Sequence, residues 1–228
     1  MVARRKDRLN ALSEKLHSEH GVEIVVAPAD LSMNTFMDDL KEFIDGREVG
    51  ILINNAGFGY NGVFDEGDVS KFTDMIHVNC IAPTILTHHF LRQMKSKKRG
   101  AIIFLGSLVG YIPTPYTTTY SATKAFNLFM GEGLWYELRE QNVDVMTLNP
   151  GGTDTEFQKV AKTFAGPMPR TVKEVVDTAM KSLGKKMSVV DGFKNKILSI
   201  VPKIITRKMS VKLAGRIRTK YYSSSSVK

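Results

Sequence analysis

The sequence predicts a doubly wound α/β domain built on a parallel sheet. Three observations carry that prediction. Short apolar runs alternate with helical stretches, the runs are continuous rather than polar/apolar in alternation, and small, amide or hydroxyl residues follow them. Alternation of strand and helix marks βαβ units, and continuous apolar strands mark a sheet covered on both faces. An open parallel sheet binds its ligands beyond the carboxyl ends of its strands. Small polar residues there let a flat ligand lie close to the backbone.

The elements follow in order. Residues 4–20 read as a helix with Leu9, Leu12 and Leu16 on one face and Gly21 as its C-cap. VEIVVA at 22–27 reads as a buried strand, ahead of a helix carrying Phe36, Leu40, Phe43 and Ile44 that Gly46 ends. GILINNAG at 50–57 is a strand and its turn, 69–95 one long helix, and AIIFLGS at 101–107 the next strand. Helix 119–140, strand 143–152, a loop with Pro167 and Pro169, helix 172–183 and a weak strand at 187–190 complete residues 1–190. The terminal SSSS at 223–226 is of low complexity and expected to be disordered.

At 228 residues the chain suits one domain with a substantial core. Cys80 is the single cysteine, so an intrachain disulfide is excluded and a reducing, cytoplasmic setting is expected. The basic start MVARRKDRLN lacks the apolar stretch of a signal peptide, and no apolar run is long enough to span a bilayer. The net charge of +9 sits in one place. Residues 191–228 hold ten lysines and arginines against one acid, Asp191, so residues 1–190 are neutral.

Residues with chemical potential follow the strands: Asp30-Leu31, Asn54-Asn55-Ala56-Gly57, Gly106-Ser107 and Asn149-Pro150-Gly151-Gly152-Thr153. Tyr120 and Lys124 stand at i and i+4 on a helix, so phenol and ammonium share a face. A free phenol, with a pKa of about 10, is a weak base near neutrality. A neighbouring cation stabilises the phenolate and makes it usable for proton transfer. Ser107, at a strand end thirteen residues earlier, can hold a substrate carbonyl. Gly57-Phe-Gly59-Tyr-Asn-Gly62 matches G-x-G-x-x-G but reads as a decoy, because no helix opens at once after it. His77, His88 and His89 lack metal-ligand spacing.

NNAG at 54–57, the serine of GSLVG, YSATK at 120–124 and PGGTDT at 150–155 together resemble the motif set of the single-domain short-chain dehydrogenase/reductase family. The resemblance covers about residues 1–190, extends loosely to long-chain oxoacyl and steroid reductases, and implies a Rossmann-like fold. It implies that Tyr120 is the acid/base, that Lys124 lowers its pKa and binds the nicotinamide ribose, and that Ser107 polarises the carbonyl. Asn79 matches the asparagine holding a relay water. Asp30 and Leu31 match adenine contacts, and Asn54, Asn55, Ala56 and Gly57 line the adenosine ribose. Pro150, Gly151, Thr153 and Thr155 sit where the family contacts the nicotinamide. Arg4 and Arg5 follow the first strand end, where arginine favours the 2′-phosphate; NADP is therefore the expected cofactor, with NAD as the lesser one. The family's Gly-rich phosphate loop precedes the part of the pattern this chain shows, whose first glycine is Gly21. The fold is therefore expected to be N-terminally incomplete, with VEIVVA parted from the main sheet and weak NADPH binding.

The expected function is NADP-dependent reduction of a carbonyl, or the reverse oxidation, on a hydrophobic small molecule; Leu108, Val109, Tyr111, Ile112 and Pro113 supply the apolar surroundings. A homo-oligomer through helices 69–95 and 119–140 is what the resemblance implies. In the tail, 191–228, aliphatic residues alternate with cations, which reads either as a lid over the substrate cleft or as a surface for anionic lipid at the inner membrane face. Nucleic acid is disfavoured, since stacking aromatics are few. The competing function is a non-catalytic remnant that acts through the tail as a membrane-surface or partner-binding module.

Overall fold

The computed structural model describes residues 1–161 and 169–225. Pro167 of the predicted loop, and Ser226 and Lys228 of the tail, lie outside them. The chain packs as two units, Met1–Glu48 and Val49–Lys228.

In the first unit, β1 (Val2–Ala3) is followed by α1 (Lys6–His20), β2 (Ala27–Pro28) and α2 (Phe36–Ile44). Gly21 closes α1 in the left-handed conformation at φ 63°, donating to the His17 carbonyl. Leu9, Ala27, Leu31, Phe36 and Leu40 form its buried interior. The strand predicted at 22–27 is much shorter than expected. Only Ala27 and Pro28 pair, in parallel with Val2 and Ala3, and Val22 is exposed. A ladder lasts as long as its partner, and here the partner is two residues.

The second unit holds a four-stranded parallel sheet in the order β3 (Ile51–Asn54), β4 (Gly100–Leu105), β5 (Val143–Asn149), β6 (Ser188–Val190). Between the strands run α3 (Val69–Ile76), α4 (Ala82–Lys97), α5 (Thr118–Leu138), α6 (Phe157–Val160) and α7 (Val172–Ser182). Ile103, Met146, Leu148 and Val189 pack against Val175 and Ala179 of α7. On the neighbouring positions, Phe104 and Thr147 meet α5 at Gly131, where a Cβ would stand 2.0 Å from Thr147 Oγ1. Helices therefore cover both faces, as the continuous apolar runs require. Fully burying Ile102, Phe104 or Met146 contributes about 1.5–3 kcal/mol each.

One expectation is corrected here. The helix predicted as uniform over 69–95 carries a π-helical turn, His77–Ile81, between α3 and α4. The wider turn brings Asn79 fully inside, where its amide bonds other segments. Strand β3 is an edge among the described residues, and Ile51 and Ile53 stay 51% and 59% exposed. β4 is its ladder partner among the described residues.

The tail forms α8 (Phe193–Ile204) and α9 (Arg207–Ser225). Pro202 does not break α8. It removes one backbone donor, and the Ile205 N–H still closes onto Val201, so the break falls at Ile205 and Thr206. Ser223–Ser225, expected to be disordered, complete α9.

Candidate active site

Ser107 leaves β4 in extended backbone and caps a short 3₁₀ turn, Leu108–Tyr111. Its hydroxyl favours the phenolate of Tyr120, which stands in the first turn of α5. Tyr120 as a residue is half-buried, while its phenolic end is withdrawn from solvent against Phe157, with ring centroids 5.4 Å apart. Gly59 leaves room for that ring, since a Cβ there would lie 2.9 Å from Phe157 and 3.2 Å from Tyr120. This close packing is what the glycines of the G-x-G-x-x-G decoy do. No helix follows them until α3, and Gly62 donates to the Tyr116 carbonyl.

Lys124 shares the Tyr120 face of α5 and is 3% exposed. Its ammonium donates to the Leu105 carbonyl at 2.7 Å and stands 5.7 Å from the centroid of the Tyr120 ring. Burial lowers its pKa to about 8. Burial also pushes the Tyr120 phenol up to about 12, against the Ser107 hydrogen bond and the charge of Arg218 from α9. The charge of Arg218 thus favours the phenolate too, alongside Lys124, the cation that the sequence pointed to. Lys124 spends one of its three donors on backbone. Cys80, read as a small buried hydrophobe, is buried and pushed up to about 11 by that burial.

Asn79 is committed within the protein. Its Oδ1 accepts from the Phe58 N–H at 3.1 Å, and its Nδ2 donates to the Phe58 carbonyl and the Thr123 hydroxyl. It ties the turn after β3 to α5. In that turn Asn54 is buried, donating to Thr87 at 3.1 Å, while Asn55, Ala56 and Gly57 are exposed. Gly57 lies beside both groups: a Cβ there would be 3.0 Å from Asn79 Oδ1 and 3.6 Å from Lys124 Nζ.

Pro150, Gly151 and Thr153 are half-buried after β5, and Thr155 is exposed. The Pro150 carbonyl accepts from Leu108, which ties this loop to the Ser107 turn. Gly151 has no room for a Cβ because the Asn195 amide of α8 occupies the space. The loop is held from the far side by Arg170, whose backbone bonds Gly152 and Asp154 and whose guanidinium clasps the buried Asp191 at 3.0 and 3.3 Å. Thr178 donates to the same carboxylate at 2.7 Å.

In the first unit, Asp30 accepts two bonds from Ser32 and pairs with Arg4 at 3.7 Å. Some burial raises the Asp30 carboxyl, but the Ser32 bonds and the Arg4 charge outweigh it and lower the pKa. Arg5 is exposed beside Arg4, and Leu31 is buried.

The buried lysine with one backbone partner, next to a glycine that leaves space, fits a ligand bearing hydroxyl groups. The short chain dehydrogenase family model matches residues 1–165. The chain belongs to the short-chain dehydrogenase/reductase family. It is 33% identical over 199 residues to a 7beta-hydroxysteroid dehydrogenase of Clostridium sardiniense, spanning 86% of this chain and 76% of that one. It is 28% identical over 228 residues to a very-long-chain 3-oxoacyl-CoA reductase of Anas platyrhynchos, spanning 97% of this chain and 73% of that protein. The structure of a short-chain dehydrogenase from Sphingobium yanoikuyae in complex with NADPH superposes with a TM-score of 0.76 at 34% identity, over 83% of this chain and 75% of that one. The protein is an oxidoreductase of this family, whose members use NAD or NADP.

Motif reading brought Ser107, Tyr120, Lys124, Asn79 and Gly57 to one place, and it missed Arg218, Phe157 and the Arg170–Asp191 clasp. Arg218 had no local signal, because one arginine among ten cations of the tail looks like any other. Asp191 had one, as the single acid of that basic stretch.

Proposed function

We propose that the protein reduces a carbonyl on a bulky hydrophobic molecule, with NADPH preferred over NADH, or runs the reverse oxidation. The observation that carries this reading is the buried Lys124 ammonium 5.7 Å from the centroid of the Tyr120 ring, on the same face of α5, with Ser107 at the end of the neighbouring strand. The nicotinamide cofactor, when bound, supplies or takes the hydride. Tyr120 gives its phenolic proton to the carbonyl oxygen in the reducing direction. Ser107 holds and polarises that oxygen, and the phenolate left behind is stabilised by Ser107 and by the charge of Arg218. Lys124 would hold the ribose hydroxyls with the donors its Leu105 bond leaves over. Asn79 keeps the turn after β3 in register with α5, and Pro150, Gly151, Thr153 and Thr155 would border the nicotinamide. Asp30 and Leu31 would meet the adenine, Asn54, Asn55, Ala56 and Gly57 the adenosine ribose, and Arg4 and Arg5 a 2′-phosphate.

Tyr111, half-buried with its hydroxyl on Ser188, and the apolar residues beside it support a hydrophobic substrate. So do the names of the steroid and long-chain oxoacyl relatives. Exposed Phe126, Phe129, Trp135 and Tyr136 on α5 and Ile85 on α4 support a homo-oligomer. We place the protein in the cytoplasm, a setting with which its one buried cysteine agrees. The test is oxidation of NADPH and NADH by the chain against steroid ketones, 3-oxoacyl thioesters and small polar ketones. Turnover with the first two classes, faster with NADPH, is expected; turnover confined to small polar ketones would overturn the substrate class.

A further inference from the structure

The two helices of the tail are amphipathic the wrong way round for a soluble domain. On α8, Phe193, Ile197, Ile200 and Ile204 follow one another at spacings of four, three and four, which places them on one face. That face points outward: Phe193 is 77% and Ile204 76% exposed, and Ile197 and Ile200 are about half exposed. The inner face is polar and small. Ser199 is buried, and the Asn195 amide fills the space beside Gly151 while donating to the Asp191 carbonyl.

Helix α9 repeats the arrangement. Met209, Leu213 and Ile217 are exposed, whereas Ser210 is buried. Gly215 lies against Pro115, and Thr219 reaches the Tyr116 hydroxyl at 3.5 Å. Normal burial logic would turn the aliphatic residues in and the serines out. Here the small inner faces let the helices seat closely on the segments around Tyr120, and eight large apolar side chains, Leu198 beside the seven of the two stripes, are left facing solvent.

What covers that face is indicated by charge. Lys194, Lys196 and Lys203 accompany the α8 stripe, and Arg207, Lys208, Lys212 and Arg216 the α9 stripe, all exposed. The one acid of the region, Asp191, is buried in its clasp with Arg170 and Thr178 and takes no part in the surface. Aliphatic side chains ringed by cations with no exposed anion suit a sheet of anionic headgroups over hydrocarbon.

We propose that α8 and α9 form a docking surface for an anionic lipid bilayer, with the outward stripes of Phe193, Ile197, Ile200 and Ile204 and of Met209, Leu213 and Ile217 entering the acyl boundary. The same helices contact the Tyr120 surroundings through Gly215, Thr219 and Asn195, so docking sets the catalytic face next to the phase in which a hydrophobic substrate dissolves. Lid and membrane surface are then two faces of one element.

The test reads binding and needs no turnover, so it stands or falls apart from the proposed reaction. The full chain is sedimented with vesicles of phosphatidylcholine alone and of an equimolar mixture with phosphatidylglycerol, at low and high salt. Binding to the anionic vesicles only, released by salt, is expected. The variant Phe193→Ser/Ile197→Ser/Ile200→Ser/Ile204→Ser alters exposed positions, and its vesicle binding is expected to fall about tenfold or more. The wild-type headgroup and salt dependence decides the matter even where that variant does not fold. Equal binding to both vesicles, or to neither, overturns the proposal. So does a variant that binds vesicles unchanged, or one that loses self-association while keeping vesicle binding, which would assign the stripe to a second copy of the chain.

Discussion

The two packing units put their polar residues to different use. Around Tyr120 in the second unit, charges and amides are buried and held, Lys124 and Asn79 by the backbone of Leu105 and Phe58 and Asp191 by the Arg170 guanidinium. In the first unit, Arg4 and Asp30 meet at the surface, on a sheet of two residue pairs. An exposed ion pair is worth little because water screens it. A buried group transmits any change in full, since the interior offers it no substitute partner. Effects of mutation should therefore scale with burial across the two regions.

The largest effect is expected at Tyr120. Tyr120→Phe should lower kcat by about two to four orders of magnitude while leaving cofactor affinity near wild type, as for removal of a general acid. Retention of more than about a tenth of kcat would remove Tyr120 from the chemistry.

Arg170→Ala leaves the buried Asp191 carboxylate with the Thr178 hydroxyl. We expect a loss of about 3 kcal/mol in urea unfolding at neutral pH. A loss near that of a surface arginine would show that water replaces the guanidinium.

Lys124 is expected to act the opposite way on stability. The folded ammonium releases its proton at about 8, the unfolded one only near 10.5, so between these values the unfolded state binds more protons and stability rises with pH. Tyr120 works in reverse. Its folded phenol keeps the proton to about 12 while the unfolded one ionises near 10, so stability falls above pH 10. Lys124→Met should raise stability at pH 7 by about 1–3 kcal/mol and flatten the rise between pH 8 and 10, at the expense of turnover. Denaturant midpoints across this pH range check both signs.

Arg218→Gln removes a charge that favours the Tyr120 phenolate. The alkaline-side rise of alcohol oxidation should move up by about one pH unit, with Arg218→Lys restoring part of it. An unmoved profile would leave Arg218 a packing residue of α9.

The smallest effect belongs to the exposed unit. Arg4→Ala/Arg5→Ala should cut kcat/KM with NADPH by about tenfold and with NADH far less. Equal losses with both cofactors would show that these arginines do not read a 2′-phosphate.

The sequence by itself determined the parallel α/β class, the element order, the family, and the grouping of Ser107, Tyr120 and Lys124. Each of these rests on short-range patterns: apolar runs, an i, i+4 pair and motifs at strand ends. Tertiary structure decided the rest, because it depends on partners distant in the chain. The run at 22–27 pairs only at its end because β1 offers two residues. Asn79 turns inward because a π-turn, invisible in helical spacing, lets its amide reach Phe58 and Thr123. Arg218 adds its charge near Tyr120 because α9 folds back onto Tyr116, with Thr219 bonding it across 103 residues of chain. The tail's amphipathic spacing was plain in the sequence, yet spacing gives a face and not its direction. Only the packing of Ser199, Ser210 and Gly215 shows that the aliphatic side faces out.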